Sequence, residues 1–232
     1  MIARAGTAVT IPVLFSSGHP DGVLAYKIYD PAGVVLGSGL ITVPADAVSA
    51  NIPVSSDRNV LPVGALLSYR DVEWSYLVNG EIINGELRYN LEARLPFGVS
   101  NDGVRSKLGV EKKDLPDSDI SLVKAFLAFQ SVTPVPDAAT IDPVLTVTLG
   151  DAIEALAAIS LIPTMAVRVA VKESSGTNQY QRQDVDWAAV QINLESLVSA
   201  GYLAVNPQYD ETTNFGSLLL VVSPAVDRFT GA

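Results

Sequence analysis

Cysteine is absent from the 232 residues, and histidine occurs once, at His19. The first absence excludes disulfide frameworks, thiolate-bound zinc, iron–sulfur clusters and thiol nucleophiles. The second excludes any site that needs two imidazoles. Charge is scarce as well: Asp, Glu, Lys and Arg make up 17% of the chain, against roughly a quarter in ordinary soluble domains. Of those charges 25 are acidic and 15 basic, a net of −10. Such a balance argues against gripping nucleic-acid phosphates, which calls for a basic face. Long hydrophobic runs are missing too. Residues 155–167 are too few and hold Pro163, and residues 212–226 hold Gly216 and Pro224. Neither run reaches the ~18–20 apolar positions of a spanning helix, so no membrane partner is expected. The opening MIARAGTAVT has no apolar stretch after Arg4, so no signal peptide is expected.

What remains is an apolar chain with little charge, at a mean hydropathy of +0.30. Its length suits one large domain or two small ones, either with a real core. Without a membrane span, the surplus apolar surface is expected to be buried against other chains.

The first half reads in twos. Val9, Ile11, Val13 and Phe15 alternate with Ala8, Thr10, Pro12 and Leu14, the pattern of a half-buried strand. Leu24, Tyr26 and Ile28 repeat it. Residues 34–36, 40–43 and 48–52 are further short candidates between Gly and Pro. Along residues 66–78, Val72, Trp74, Tyr76 and Val78 share one face. Asn79-Gly80 is a strong two-residue hairpin signal, because both turn positions need positive φ. A second Asn-Gly, at Asn84-Gly85, precedes Leu87, Tyr89 and Leu91 at period two. Six to eight short strands in under a hundred residues predict an immunoglobulin-like β-sandwich over residues 1–97.

From residue 98 to 232 the period becomes helical. Ser100 or Asp102 is placed to cap a short helix carrying Val104 and Leu108, with Gly109 at its left-handed end. Asp117 reads as the cap of a helix that presents Ile120, Val123 and Leu127. Asp142-Pro143 opens a long apolar stretch with Leu149, Ile153, Leu156, Val167 and Val171 at helical spacing, and Pro163 should kink or split it. Asp184 reads as the cap of a final helix with Trp187, Val190, Leu194 and Leu197 inward, stopped by Gly201. The expected fold class is α+β, a sandwich followed by a mainly helical bundle with an extended C-terminal arm. The first 95 residues hold 6 basic and 9 acidic side chains, a net of −3, and the rest hold 9 and 16, a net of −7.

Little in the sequence spells catalysis, and no enzyme, cofactor or metal is expected. His19 lies in a Gly-His-Pro turn and no nucleophile elbow exists. Asp114, Asp117 and Asp119 lack the glycine and glutamate of a calcium loop and read as helix caps. Asp71 and Glu73, two residues apart on a strand, read as a solvated face rather than a glycosidase pair. Asp151 and Glu154 are one helical turn apart without a histidine. No phosphate loop or dinucleotide fingerprint occurs. Arg168 and Arg182 stand in nearly uncharged surroundings, as does Arg228, and suit interface ion pairs or a water-facing surface equally well.

The helical half resembles the head–tail connector (adaptor) proteins of tailed bacteriophages. Four stretches carry the likeness: VRSKLGV at 104–110 running into DLPDSDI at 114–120, the apolar helix at 152–171, the polar turn at 174–182 leading into the helix at 184–200, and the end VVSPAVDRFTG at 221–231. The order of these parts, over residues 99–232, is the match; the β half is additional to the small connectors. The resemblance implies a structural virion protein at the neck, assembled in the host cytoplasm. About twelve copies would form a ring below the portal protein, join it to tail or further neck proteins, and let packaged DNA pass without sequence-specific binding. Expected interface residues are Arg168, Arg182, Val226, Asp227, Arg228 and Phe229. The alternative is a virion decoration or carbohydrate-binding β-sandwich with a helical oligomerisation region.

Overall fold

The computed structural model describes residues 1–16, 18–136, 142–174 and 185–209, with 169–174 described by backbone alone. The chain is α+β, with four α-helices among the described residues. It divides into two compact units between Arg94 and Leu95.

The first unit holds seven strands: β1 (Ile2–Arg4), β2 (Val9–Leu14), β3 (Val23–Tyr29), β4 (Val35–Thr42), β5 (Ser49–Val54), β6 (Leu67–Val78) and β7 (Glu81–Glu92). Five form a mixed sheet in the order β1-β7-β6-β3-β4, and β2 pairs with β5 in a second, two-stranded sheet. β1 lies parallel to β7; the other pairs are antiparallel. One core draws on both sheets, with Ile11 and Val13 of β2 and Ile52 and Val54 of β5 buried alongside Leu24, Ile28, Val72, Tyr89 and Leu91. Burying such a side chain contributes about 1.5–3 kcal/mol.

The hairpin at Asn79-Gly80 has φ of 52° and 83° at the two turn residues, as its sequence requires. Two glycines inside the five-stranded sheet, Gly39 and Gly85, act differently. The expected separate pieces 34–36 and 40–43 merge into one strand, β4, over Val35–Thr42, and Asn84-Gly85 lies inside β7. In each case glycine supplies clearance rather than a turn. Register sets Gly39, Tyr26, Trp74 and Gly85 in one row across four strands. A Cβ at Gly39 would strike the Tyr26 ring, and one at Gly85 would lie 2.5 Å from the Trp74 indole. The two rings lie flat where side chains are missing.

In the second unit α1 (Asn101–Leu108) begins as its sequence implies: Ser100 Oγ accepts from the Gly103 N–H at 2.9 Å, and Gly109 closes it at φ 66°. α2 (Leu122–Val132) is capped by Ser121, not Asp117. It buries Val123, Phe126 and Phe129, while Leu127, expected inward, is 40% exposed. α3 (Pro143–Ser174) is capped by Asp142, at 2.8 Å from the Leu145 N–H, and continues through Pro163 without a break. Its 32 residues span ~48 Å at 1.5 Å each. Leu149, Ile153 and Leu156 are buried, whereas Val167 faces outward. α4 (Trp187–Val205) is capped by Asp186 at 3.0 Å from the Ala189 N–H; the expected cap, Asp184, lies outside the described residues. Gly201 does not end this helix. Its missing side chain lets α4 approach Ala152 of α3 and the Phe129 ring, and the inward stripe is Leu194, Val198 and Tyr202 rather than Leu197.

Residues 143–168 of α3 and all of α4 are long and apolar enough to cross a membrane by length and composition, with 56% and 28% of their apolar windows buried. The expectation that no stretch reaches this length fails because the helix extends beyond the charge-free run 155–167, back through Glu154 and Asp151 to Pro143, and is unbroken at Pro163.

Candidate functional site

Among the described residues of the helical unit, two networks of charged side chains stand out. Arg105, buried on α1, donates Nε–H to the Leu115 carbonyl at 2.8 Å and pairs with Asp102 at 2.6 Å and with Asp117. Asp117 also accepts from Lys112 at 2.8 Å and from Asn101 at 3.1 Å. Bonds to Lys112 and then Arg105 hold the Asp117 carboxyl well below the usual carboxylate range. That engagement is why Asp117 caps no helix.

In the second network Glu154 of α3, nearly buried, accepts the Ser100 N–H at 2.8 Å and the Lys107 ammonium at 3.2 Å, while Asp151 accepts from Lys107 at 2.8 Å. Burial pulls the Lys107 ammonium downward; its bonds to Asp151 and Glu154 outweigh this and leave it above its ordinary value. A carboxylate at the first turn of α1 also satisfies N–H groups that have no partner within the helix. The Cα of Gly103 lies so close that an added Cβ would strike the Glu154 carboxylate. The sequence carried one signal for this role: an acid inside a long apolar stretch. Its partners, Ser100 and Lys107, are about fifty positions away.

Arg168 pairs with Asp119 at 2.7 Å and donates to the Asp114 carbonyl at 3.3 Å. It ties α3 to the turn before α2, with its guanidinium 42% exposed. Arg182, Val226, Asp227, Arg228 and Phe229 lie outside the described residues. Asp114, Asp117 and Asp119 cap no α-helix, contrary to expectation, and Asp117 and Asp119 serve as ion-pair partners.

In the β unit Arg70 is buried, with Nη2 donating to the Val60 carbonyl at 2.5 Å and Nε to that of Arg58 at 2.9 Å. Asn59, fully buried, accepts from the Tyr89 hydroxyl at 2.6 Å. Burial pushes the Tyr89 hydroxyl up to about 12. Both residues pin the segment between β5 and β6. Asp71 is held by two bonds from Arg88, at 2.6 and 2.8 Å, and that guanidinium stands 4.1 Å from the centre of the Tyr69 ring. The hydroxyl of Tyr29, bonded to Glu73, sits above its ordinary value. Asp71 and Glu73 are thus members of an exposed polar ladder. His19 Nδ1 lies 3.1 Å from the Ala47 carbonyl, which can only accept, so this contact places the proton on Nδ1. Among the described residues no group of three or more His, Asp or Glu is arranged to hold a metal.

The other prominent feature is apolar surface. On the face of the five-stranded sheet turned away from the core, Val23, Leu40, Leu77 and Ile82 are 45%, 75%, 45% and 67% exposed. Leu40 also lines a shallow depression of about 370 Å³, together with Ala25, Ser38, Ser75 and Asn84 and the charged pair Lys27 and Glu73. In the helical unit Val144, Val147 and Val167 of α3 and Ile192 of α4 are all more than 60% exposed. Such surface suits association. No protein-family model and no curated protein matches the chain.

Proposed function

We propose that this chain is a structural protein of a tailed-phage neck. In this reading it forms a ring of about twelve copies below the portal, joins the capsid to the tail and extends the DNA channel. The observation that carries the reading is the exposed apolar surface of α3 and α4. α4 has a single charged side chain, Glu195, and most of its apolar window is uncovered. Subunits that bury their flanks against neighbours need surface of this kind. The two carboxylates within residues 143–168 of α3, Asp151 and Glu154, are pinned by Lys107 of α1, which favours protein rather than lipid as the covering medium.

The strand order of the β unit supports an immunoglobulin-like sandwich, with the first strand parallel to the last and the second paired with the fifth in the other sheet. The helical unit is proposed as the connector-type bundle. An acidic lumen would let packaged DNA slide without capture; a basic lumen in an assembled ring would refute that part.

Native mass spectrometry of the purified chain over a concentration series tests the reading. A closed species near twelve subunits is expected, and a monomer at every concentration would overturn the ring.

A further inference from the structure

A free sheet edge offers unpaired N–H and C=O groups to any extended chain, so folded proteins blunt their edges. The β unit has four free edges among its described strands, and three are blunted. β1 is only three residues long. β2 contains Pro12 and β5 contains Pro53, and each lacks an N–H that a further strand would need. β4 is different. It runs for eight residues at the end of the five-stranded sheet, without proline, and no charged side chain occurs from residue 34 to residue 43. Leu40 and Val35 on this edge strand are 75% and 50% exposed.

We propose that the open edge of β4 accepts residues 217–222 of a second copy as an added strand. The occupant is chosen on three grounds. First, residues 217–222, SLLLVV, are an apolar run bracketed by Gly216 and Pro224, the composition of a strand covered on both faces. Six residues extend ~20 Å, which fits within the ~26 Å of β4. Second, neither strand carries a charged side chain of its own, since residues 34–43 and 212–226 have none, and Arg58, a cation from outside the strand, lies beside Gly37 of β4. Two copies of a chain of net −10 repel, and contact is least opposed where neither strand is charged. Third, the segment follows the last described residue, Tyr209, by seven residues, a tether of up to ~24 Å. Donor and acceptor are different surfaces, so the contact is head-to-tail and propagates, closing into a ring where the rotation between copies allows. The choice of a second copy as donor rests on the oligomeric reading above.

The absence of cysteine makes the test clean, because introduced thiols are the only thiols. Full-length Ser38→Cys is mixed with full-length Leu218→Cys, Leu219→Cys or Leu220→Cys, oxidised, and resolved without reductant. Cross-linked dimer is expected from one or two of the three mixtures, and Leu40→Lys added to the Ser38→Cys chain should cut its yield about tenfold by placing a charge on the edge. Dimer from Ser38→Cys alone, yields indifferent to Leu40→Lys, or no dimer at all would overturn the proposal. Hydrogen exchange on the unmodified chain gives a second reading. Protection of amides in residues 35–42 should rise with concentration and vanish on truncation after Asn214; protection independent of both refutes the strand addition. Native mass spectrometry separates the two ideas. Cross-linking without a closed ring keeps the strand and refutes the ring, and a closed ring without cross-linking does the reverse.

Discussion

Gly201→Ala probes the closest approach in the helical unit. Gly201 is buried on α4, where an added Cβ would overlap the Ala152 methyl and lie 3.2 Å and 3.4 Å from Cε2 and Cζ of Phe129. Neither neighbour has room to yield. Ala152 and Phe129 are fully buried, and the Phe129 ring stacks on Tyr202 with centroids 4.2 Å apart. Two effects oppose each other. Overpacking costs about 1–3 kcal/mol, and replacing a helical glycine by alanine returns about 1 kcal/mol. The single substitution should destabilise by about 1 kcal/mol, too near zero to be decisive alone. Ala152→Gly makes it so. With the facing methyl removed, Gly201→Ala meets no obstruction and should stabilise by about 1 kcal/mol, so the double-mutant cycle should return a coupling of about 2 kcal/mol. Urea unfolding followed by Trp187 fluorescence in a Trp74→Phe background reports on the helical unit, with a constant denaturant slope as the check. Additivity within about 0.5 kcal/mol would refute the close approach. So would stabilisation by Gly201→Ala in the unmodified background.

The Tyr202 hydroxyl is buried without a partner among the described residues, so Tyr202→Phe should leave the urea midpoint unchanged or raise it; a loss above about 1 kcal/mol would reveal a missed hydrogen bond. Tyr89→Phe should cost about 1–3 kcal/mol, because it orphans the buried Asn59 amide oxygen. In the same place pH acts with a definite sign. The folded Tyr89 value of about 12 lies above the ordinary 10, so its contribution is complete below pH 10 and is lost as the pH climbs towards 12. Absorbance at 295 nm against pH should lose that late phase in Tyr89→Phe. Asp117 has the opposite sign. Its lowered value means that stability is present above about pH 4 and falls away below it. Asp117→Asn should cost about 1 kcal/mol at pH 7, since the carboxylate is 47% exposed and screened, and should flatten the acid limb of a stability–pH curve.

The parts of this fold that were legible in the amino-acid order are those whose cause is local. Asn79-Gly80 turns because of what two adjacent residues permit, Ser100 and Gly109 close the ends of α1, Asp142-Pro143 starts α3, and the alternation through β2 and β6 follows from two-sided strands. The misread residues answer to partners distant in the chain. Gly39 and Gly85 look like punctuation and are instead the clearance beneath Tyr26 and Trp74; Gly201 looks like a helix end and is a seat for Ala152. Asp117 has the form of a cap, but Lys112 and Arg105 claim its carboxylate first. Glu154 could be noted as a charge in apolar company, whereas Arg105 stands among other charges, and what Glu154 holds depends on where α3 lies against α1. The openness of β4 is likewise a property of sheet order, because nothing within its eight residues says which strand is last. Periodicity depends on a residue's neighbours in sequence, whereas clearance, ion-pair choice and edge position depend on its neighbours in space.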